Sequence, residues 1–257
     1  MQIDSYQHGE PSWQDHGSAD PDKAAEFYSA LFGWEIPPGD PNMGDYRNCL
    51  LNGSTVAGMG SSMGEGMPPV WSTYVNVDDA EAIAALVTDN GGQVIVAPFA
   101  IAEFGTMGVF ADPTGGVIGV WQPGSHKGAE VRNEPGAACW HELMTTDTDA
   151  AAAFYSAVFG WTAGSHGPSA GPGGYIEFKL GERMVAGMMA KPPSMPAEVP
   201  PFWSVYFAVD DADATAAKVT ELGGEILMGP VDMPPGRLAT VRDSTGAVFN
   251  ILKSARG

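Results

Sequence analysis

Two short stretches hold the residues best equipped for chemistry. Ser-Trp-Gln-Asp (12–15) and Cys-Trp-His-Glu (139–142) each place a carboxylate two positions after an indole. In an extended strand, residues two apart share a face, so Trp13 stands beside Asp15 and Trp140 beside Glu142. A carboxyl group desolvated against an aromatic ring ionises less readily, and the raised pKa suits it to general acid–base work. Asp15 and Glu142 are therefore the candidate catalytic residues. The competing reading is that each carboxylate only bonds a neighbouring donor and fixes the fold. His141 lies between Trp140 and Glu142, where alternation turns it to the opposite face; His16 is similarly placed in the first stretch. With no second or third ligand in reach, His141 reads as structural. His8, His126 and His166 fall in loop or terminal sequence.

The two stretches open longer copies of each other, SWQDHGSADPDKAAEFYSALFGW (12–34) and CWHELMTTDTDAAAAFYSAVFGW (139–161). VAGM at 56–59 returns at 185–188, PVWSTYVNVDDA at 69–80 matches PFWSVYFAVDDA at 201–212, and DPTGGVIGVW at 112–121 matches DSTGAVFNIL at 243–252. Conserved order across these blocks implies two homologous units: residues 1–122, a Gly-, Pro- and charge-containing linker at 123–137, and residues 138–257. Within each unit the periodicity repeats. Phe27, Tyr28, Leu31 and Phe32, like Phe154, Tyr155, Val158 and Phe159, occupy one helix face, with Asp20 or Asp147 as N-cap and Gly33 or Gly160 as the stop. Extended segments are expected at 46–51 and 54–60 around an Asn-Gly turn, and at 174–180 and 183–190. Strands at 70–77 and 202–209 lead through Asp-Asp into second helices ending near Gly91 and Gly223. Three short strands then close each unit. The pattern is βαβββ, twice per unit.

These blocks resemble the vicinal-oxygen-chelate superfamily, which includes glyoxalases, bleomycin-resistance proteins and dioxygenases. The resemblance rests on Asp20 and Asp147 seven residues before Phe-Tyr, on VNVDDA and FAVDDA, and on DPTGG and DSTGA. The Trp-x-Asp/Glu opening and the repeated VAGM are similar to an actinobacterial tandem group that includes a mycobacterial culture-filtrate antigen. The implied fold is α+β, with two tandem vicinal-oxygen-chelate domains, each a half-barrel cup of paired βαβββ modules. One fold hosts many chemistries, so activity must be argued from the site.

Metal-binding members carry His, Gln or Glu at fixed cup positions. The resemblance places these at Trp13 and Trp140, at Ser72 and Ser204, and at Gly119 and Asn250, all poor ligands for a divalent metal. Neither a metal nor another cofactor is expected. By strand alternation the cups instead collect Trp13, Ser72, Tyr74 and Trp121 with Asp15, and Trp140, Ser204, Tyr206 and Asn250 with Glu142. Apolar walls with a few placed polar groups suit a planar organic molecule. Met59, Met63, Met67, Met184, Met188, Met189 and Met195 would line such a pocket or fill the core. Gly/Pro-rich loops at 164–174 and 190–201 could rim it.

The 257-residue chain carries 31 acidic and 12 basic residues, a net charge of −19. The resulting field disfavours nucleic acid and anionic membrane surfaces as partners. Cys49 and Cys139 form no CxxC pair, no 18-residue apolar run occurs, and MQIDSYQHGEP lacks a signal-peptide pattern, so a cytoplasmic location is expected. The leading expectation is metal-independent binding of a bulky hydrophobic or aromatic small molecule, for sequestration, resistance or transport, by a monomer or homodimer. The alternatives are an enzyme of secondary metabolism using Asp15 or Glu142 for acid–base chemistry, and a glyoxalase- or dioxygenase-type metalloenzyme with relocated ligands.

Overall fold

The computed structural model describes residues 1–41, 44–62, 64, 66–166 and 174–255. The first half runs β1 (Pro11–Ser18), α1 (Pro21–Phe32), β2 (Arg47–Leu51), β3 (Ser54–Ser61), β4 (Val70–Asn76), α2 (Ala80–Asp89), β5 (Gln93–Ile101), β6 (Gly105–Ala111) and β7 (Val117–Pro123). The second runs β8 (Ala138–Thr145), α3 (Thr148–Phe159), β9 (Thr162–His166), β10 (Tyr175–Leu180), β11 (Arg183–Ala190), β12 (Phe202–Ala208), α4 (Ala212–Glu221), β13 (Glu225–Met233), β14 (Gly236–Arg242) and β15 (Val248–Ser254). Each half forms one mixed sheet, ordered β2-β3-β1-β4-β7-β6-β5 and β13-β14-β15-β12-β8-β11-β10-β9. The opening strands of its two modules pair antiparallel at the centre: Asp15 faces Ser72 and Glu142 faces Ser204. In the first module the strand equivalent to β9 is reduced to a single bridge between Glu35 and Leu50.

Local chemistry explains the helix boundaries. Asp20, Asp79, Asp147 and Asp211 accept hydrogen bonds from backbone N–H groups of the first turns, satisfying donors that a helix start leaves orphaned. Gly33 and Gly160 stop α1 and α3 in the left-handed conformation, at φ 71° and 70°. The Asn52-Gly53 turn joining β2 to β3 also has positive φ at both residues, as a tight hairpin demands.

The two halves interlock. One apolar core joins α1 and β2–β3 to α4 and to Val205, Phe207, Val241, Phe249 and Ile251 of the second sheet. The other joins α2 and β4, β6 and β7 to α3, β10 and β11. Tyr28 of α1 donates to Asp243 in the loop before β15 and accepts from the Trp71 indole, each at 2.8 Å. Reciprocally, Tyr155 of α3 donates to Asp112 before β7 at 2.8 Å and accepts from Trp203 at 2.9 Å. Trp34 and Trp161, just past the helices, stack on these tyrosines at 5.7 and 5.6 Å. The repeated Phe-Tyr and Asp-x-Thr-Gly blocks are thus two ends of one clasp made between halves.

His16 and His141 make their hydrogen bonds across this interface. The His16 ring bonds Asp243 at 2.8 Å, and His141 bonds Thr73 at 3.1 Å. Burial and the Arg132 charge hold His141 well below the usual imidazole range, so it stays neutral. Residues 123–137 are pinned in place: Ala129 N donates to Ser12 O, Glu130 N to Thr55 O, and the Trp34 indole to Gly136 O.

Candidate functional site

Alternation along the central strands turns Trp13, Asp15, Ser72 and Tyr74 into the first concave face and Trp140, Glu142, Ser204 and Tyr206 into the second. Trp121 and Asn250, near the ends of β7 and β15, line the same two faces. The structure brings the expected residues of each cup together around its carboxylate, and it adds one that strand alternation did not reach.

That addition is a tyrosine in each cup. Tyr46 immediately precedes β2 and Tyr175 opens β10, on strands one removed from the carboxylate. Each ring lies across the intervening strand at a glycine, Gly58 or Gly187, the third letter of VAGM; a Cβ there would collide with the phenol oxygen. This contact accounts for the glycine in the repeated motif. The Trp13 indole donates to Tyr46 Oη at 3.0 Å, and Tyr46 donates to Asp15 Oδ2 at 3.3 Å. In the second cup Trp140 donates to Tyr175 at 2.7 Å, and Tyr206 donates to Glu142 Oε1 at 2.8 Å. Tyr175 also bonds Glu142, while Tyr74 and Ser72 bond Asp15. The common unit is an indole, two phenols and a carboxylate. Its sequence signal was present: Gly-x-Tyr at 44–46 recurs at 173–175.

Desolvation sets the electrostatics. It raises the Asp15 carboxyl to about 6, against the lowering effect of Tyr74, Ser72 and Tyr46 hydrogen bonds. Glu142 is raised by the same cause, opposed by Tyr206 and Tyr175. All four phenols are pushed well above their ordinary pKa, first by desolvation and then by the nearby carboxylate, and therefore remain protonated donors.

Apolar surface surrounds each cluster. Val70, Ile95, Phe104 and Val117 around the first cup, and Met184, Leu227, Met228 and Met233 around the second, are exposed yet line the cavity; Ile95 is 50% exposed and Met228 47%. Both cups and the crevice between their rims enclose about 2690 Å³, room for more than one small molecule. Met59 and Met188 are core residues, whereas Met67, Met189 and Met195 line the cavity; Met63 lies outside the described residues. Of the proposed rim loops, Pro192, Met195 and Pro200 reach the cavity, and 167–173 lie outside the described residues. His126 contacts the first cup, packing edge-on against Trp13 at 4.4 Å and Trp121 at 5.5 Å, a role that its loop position concealed.

The donor set does not fit a catalytic divalent metal. Among the described residues no three His, Cys, Asp or Glu side chains group to hold one. Each cluster offers a single carboxylate, already bonded by phenols that stay protonated. Nor is any helix among the described residues long and apolar enough to cross a membrane.

Comparison with known proteins matches this architecture. The chain is 44% identical over 259 residues to the Mycobacterium tuberculosis (strain CDC 1551 / Oshkosh) protein named "Putative glyoxylase CFP32", covering 97% of each chain. It is 36% identical over 267 residues to "Anthracycline biosynthesis protein DnrV" of Streptomyces peucetius, covering 97% of this chain and 94% of that one. Similar solved folds include the Mn(II)-bound glyoxalase from Novosphingobium aromaticivorans (TM-score 0.65, 17% identity, covering 96% of this chain and 82% of that one). Another is the 2,3-dioxygenase LapB from Pseudomonas sp. KL28 (TM-score 0.67, 12% identity, covering 95% and 92%). The Glyoxalase/Bleomycin resistance protein/Dioxygenase superfamily model matches residues 17–120 and 138–251, one span per sheet. With two paired-module cups and a family match in each half, the chain belongs to the Glyoxalase/Bleomycin resistance protein/Dioxygenase superfamily.

Proposed function

We propose that the protein binds a bulky, largely apolar aromatic small molecule in its cups, without a metal. The observation that carries this reading is the convergence of exposed apolar walls on one carboxylate–phenol cluster per cup. Apolar surface left open in a concavity is stabilised by covering it with a ligand, and a few polar groups then orient that ligand. A relative named for anthracycline biosynthesis is compatible with an aromatic ligand. One chain supplies every residue of both clusters, so the reading requires no partner chain. A thermal-shift screen of planar aromatics against chelator-treated protein tests it: binders raise the melting point, because a ligand selective for the native state stabilises it by mass action. A flat response across a broad aromatic library would overturn the reading.

A second reading, proton transfer on the bound molecule, is favoured by one further observation. Asp15, held at about 6, is poised to accept a proton near neutrality, and Tyr46 links it to the Trp13 indole in a chain of donors. For any substrate found, Asp15→Asn and Glu142→Gln separate binder from catalyst. Loss of turnover with retained binding assigns the carboxylate a catalytic part; unchanged turnover removes it.

A further inference from the structure

The two cups are built alike at the carboxylate but differ in what they leave unpaired. In the first, Tyr74, Ser72 and Tyr46 all bond Asp15. The Tyr74 ring covers Gly119 so closely that a Cβ there would collide with it. Trp121 donates to the His126 carbonyl at 2.9 Å, and the His126 ring packs against both Trp13 and Trp121. Trp13, Tyr74 and Trp121 are buried together with Met107 and Val109 as a small core of their own. Asp15, Tyr46, Trp13 and Trp121 are therefore paired within the protein, although Arg47 Nε and Ser62 Oγ, on residues that also line the cavity, are not.

The second cup is different. Asn250 takes the place of Gly119 and Leu252 that of Trp121. Asn250 is only 3% exposed, yet it lines the cavity. Thr240 donates to its Oδ1 at 2.7 Å, which fixes the amide plane and leaves the Nδ2 donor with no protein partner. Ser204, 9% exposed, also lines the cavity, and its hydroxyl bonds neither Glu142 nor Tyr206. Strand register puts these groups on one face as diagonal neighbours: Asn250 is opposite Tyr206 on β12, and Ser204, two residues before Tyr206, is opposite Glu142 on β8. Both donors open on the cavity, where an acceptor on a ligand can reach them.

We infer that the second cup is the principal ligand site, and that it recognises a hydrogen-bond acceptor oxygen, such as an aryl ketone or quinone carbonyl, through Asn250 Nδ2 and the Ser204 hydroxyl. This rests on the aromatic-binding reading above and narrows it to one cup and one functional group. An amide N–H is matched to a carbonyl oxygen and not to a cation.

The test uses a pair of planar probes that differ by one group, 9-fluorenone with a carbonyl and fluorene with a methylene. Equilibrium dialysis of the full chain is expected to show fluorenone binding about tenfold more tightly than fluorene, the gain of a net hydrogen bond or two. Asn250→Leu is expected to reduce the ratio by about threefold, and the double variant with Ser204→Ala to bring it near one. Ser204→Ala, a change small enough to spare the fold, is expected to reduce the ratio by about threefold. If both probes bind equally to the parent chain, or if the double variant keeps the preference, the carbonyl assignment falls while aromatic binding stands. If neither probe binds, both readings fall.

Discussion

The carboxylates Asp15 and Glu142 hold opposite tendencies in balance: desolvation disfavours their ionised forms, while two phenols each stabilise them. For Asp15 the balance leaves a pKa near 6 against 3.8 for an unperturbed group, so the native state holds the proton more tightly than the unfolded chain. The stability associated with the protonated form is complete below about pH 4 and is lost as pH rises to about 6. Asp15→Asn should therefore gain stability over the parent at pH 8, by about 1–3 kcal/mol, with the gain shrinking towards pH 4. Urea melts at both pH values check this; a variant less stable at pH 8 would count against the environment described. Gly187→Ala tests the tyrosine over VAGM. A methyl there must displace Tyr175 from Glu142, so binding of a planar aromatic should weaken several-fold while the fold persists. Calorimetric titration gives the answer, and unaltered affinity would remove Tyr175 from the site. Trp13, Asp15 and their counterparts were legible because alternation along a single strand is enough to group them. Tyr46 and Tyr175 were not, since they reach the cup across a neighbouring strand, and pairing register cannot be read from one strand's own pattern.

At the scale of elements, helix faces and caps followed from periodicity and Asp/Gly punctuation, but the sheet each helix would cover did not. Apolar spacing says that Phe27 and Tyr28 are buried and leaves open by what; the answer is the other half of the chain. The Tyr28–Asp243 and Tyr155–Asp112 clasps carry this packing. Tyr155→Phe leaves a nearly buried Asp112 oxygen and the Trp203 indole short of a partner, at an expected cost of about 1–3 kcal/mol in chemical denaturation. A change under a few tenths of a kcal/mol would mean that water replaces the hydroxyl. Asp243 makes the Tyr28 clasp acid-sensitive. Desolvation would raise its carboxyl, but the His16 bond and charge, with bonds from Thr245 and Tyr28, bring it down to about 2. Its contribution is present above about pH 4 and lost as pH falls towards 2, so Asp243→Asn should flatten acid unfolding in that window. Unfolding that tracks the parent's acid limb would contradict this.

For the whole molecule, the repeat announced two units without saying where their cores close, and both large cores draw on both halves. Residues 1–122 or 138–257 expressed alone should lack a cooperative melt by circular dichroism, while the full chain melts in one transition; a half that melts cooperatively by itself would contradict the interlocked description. This arrangement holds two cups whose walls are apolar and whose floors carry carboxylate and phenol, a setting we propose binds its ligand without a metal. The most direct test of that claim is calorimetric melting of chelator-treated protein with and without 9-fluorenone. At about a hundred times the dissociation constant, binding adds about 2.7 kcal/mol, which for a chain of this size raises the midpoint by several degrees. The account predicts the same rise whether or not manganese or zinc is supplied. A rise that appears only with metal present would contradict it.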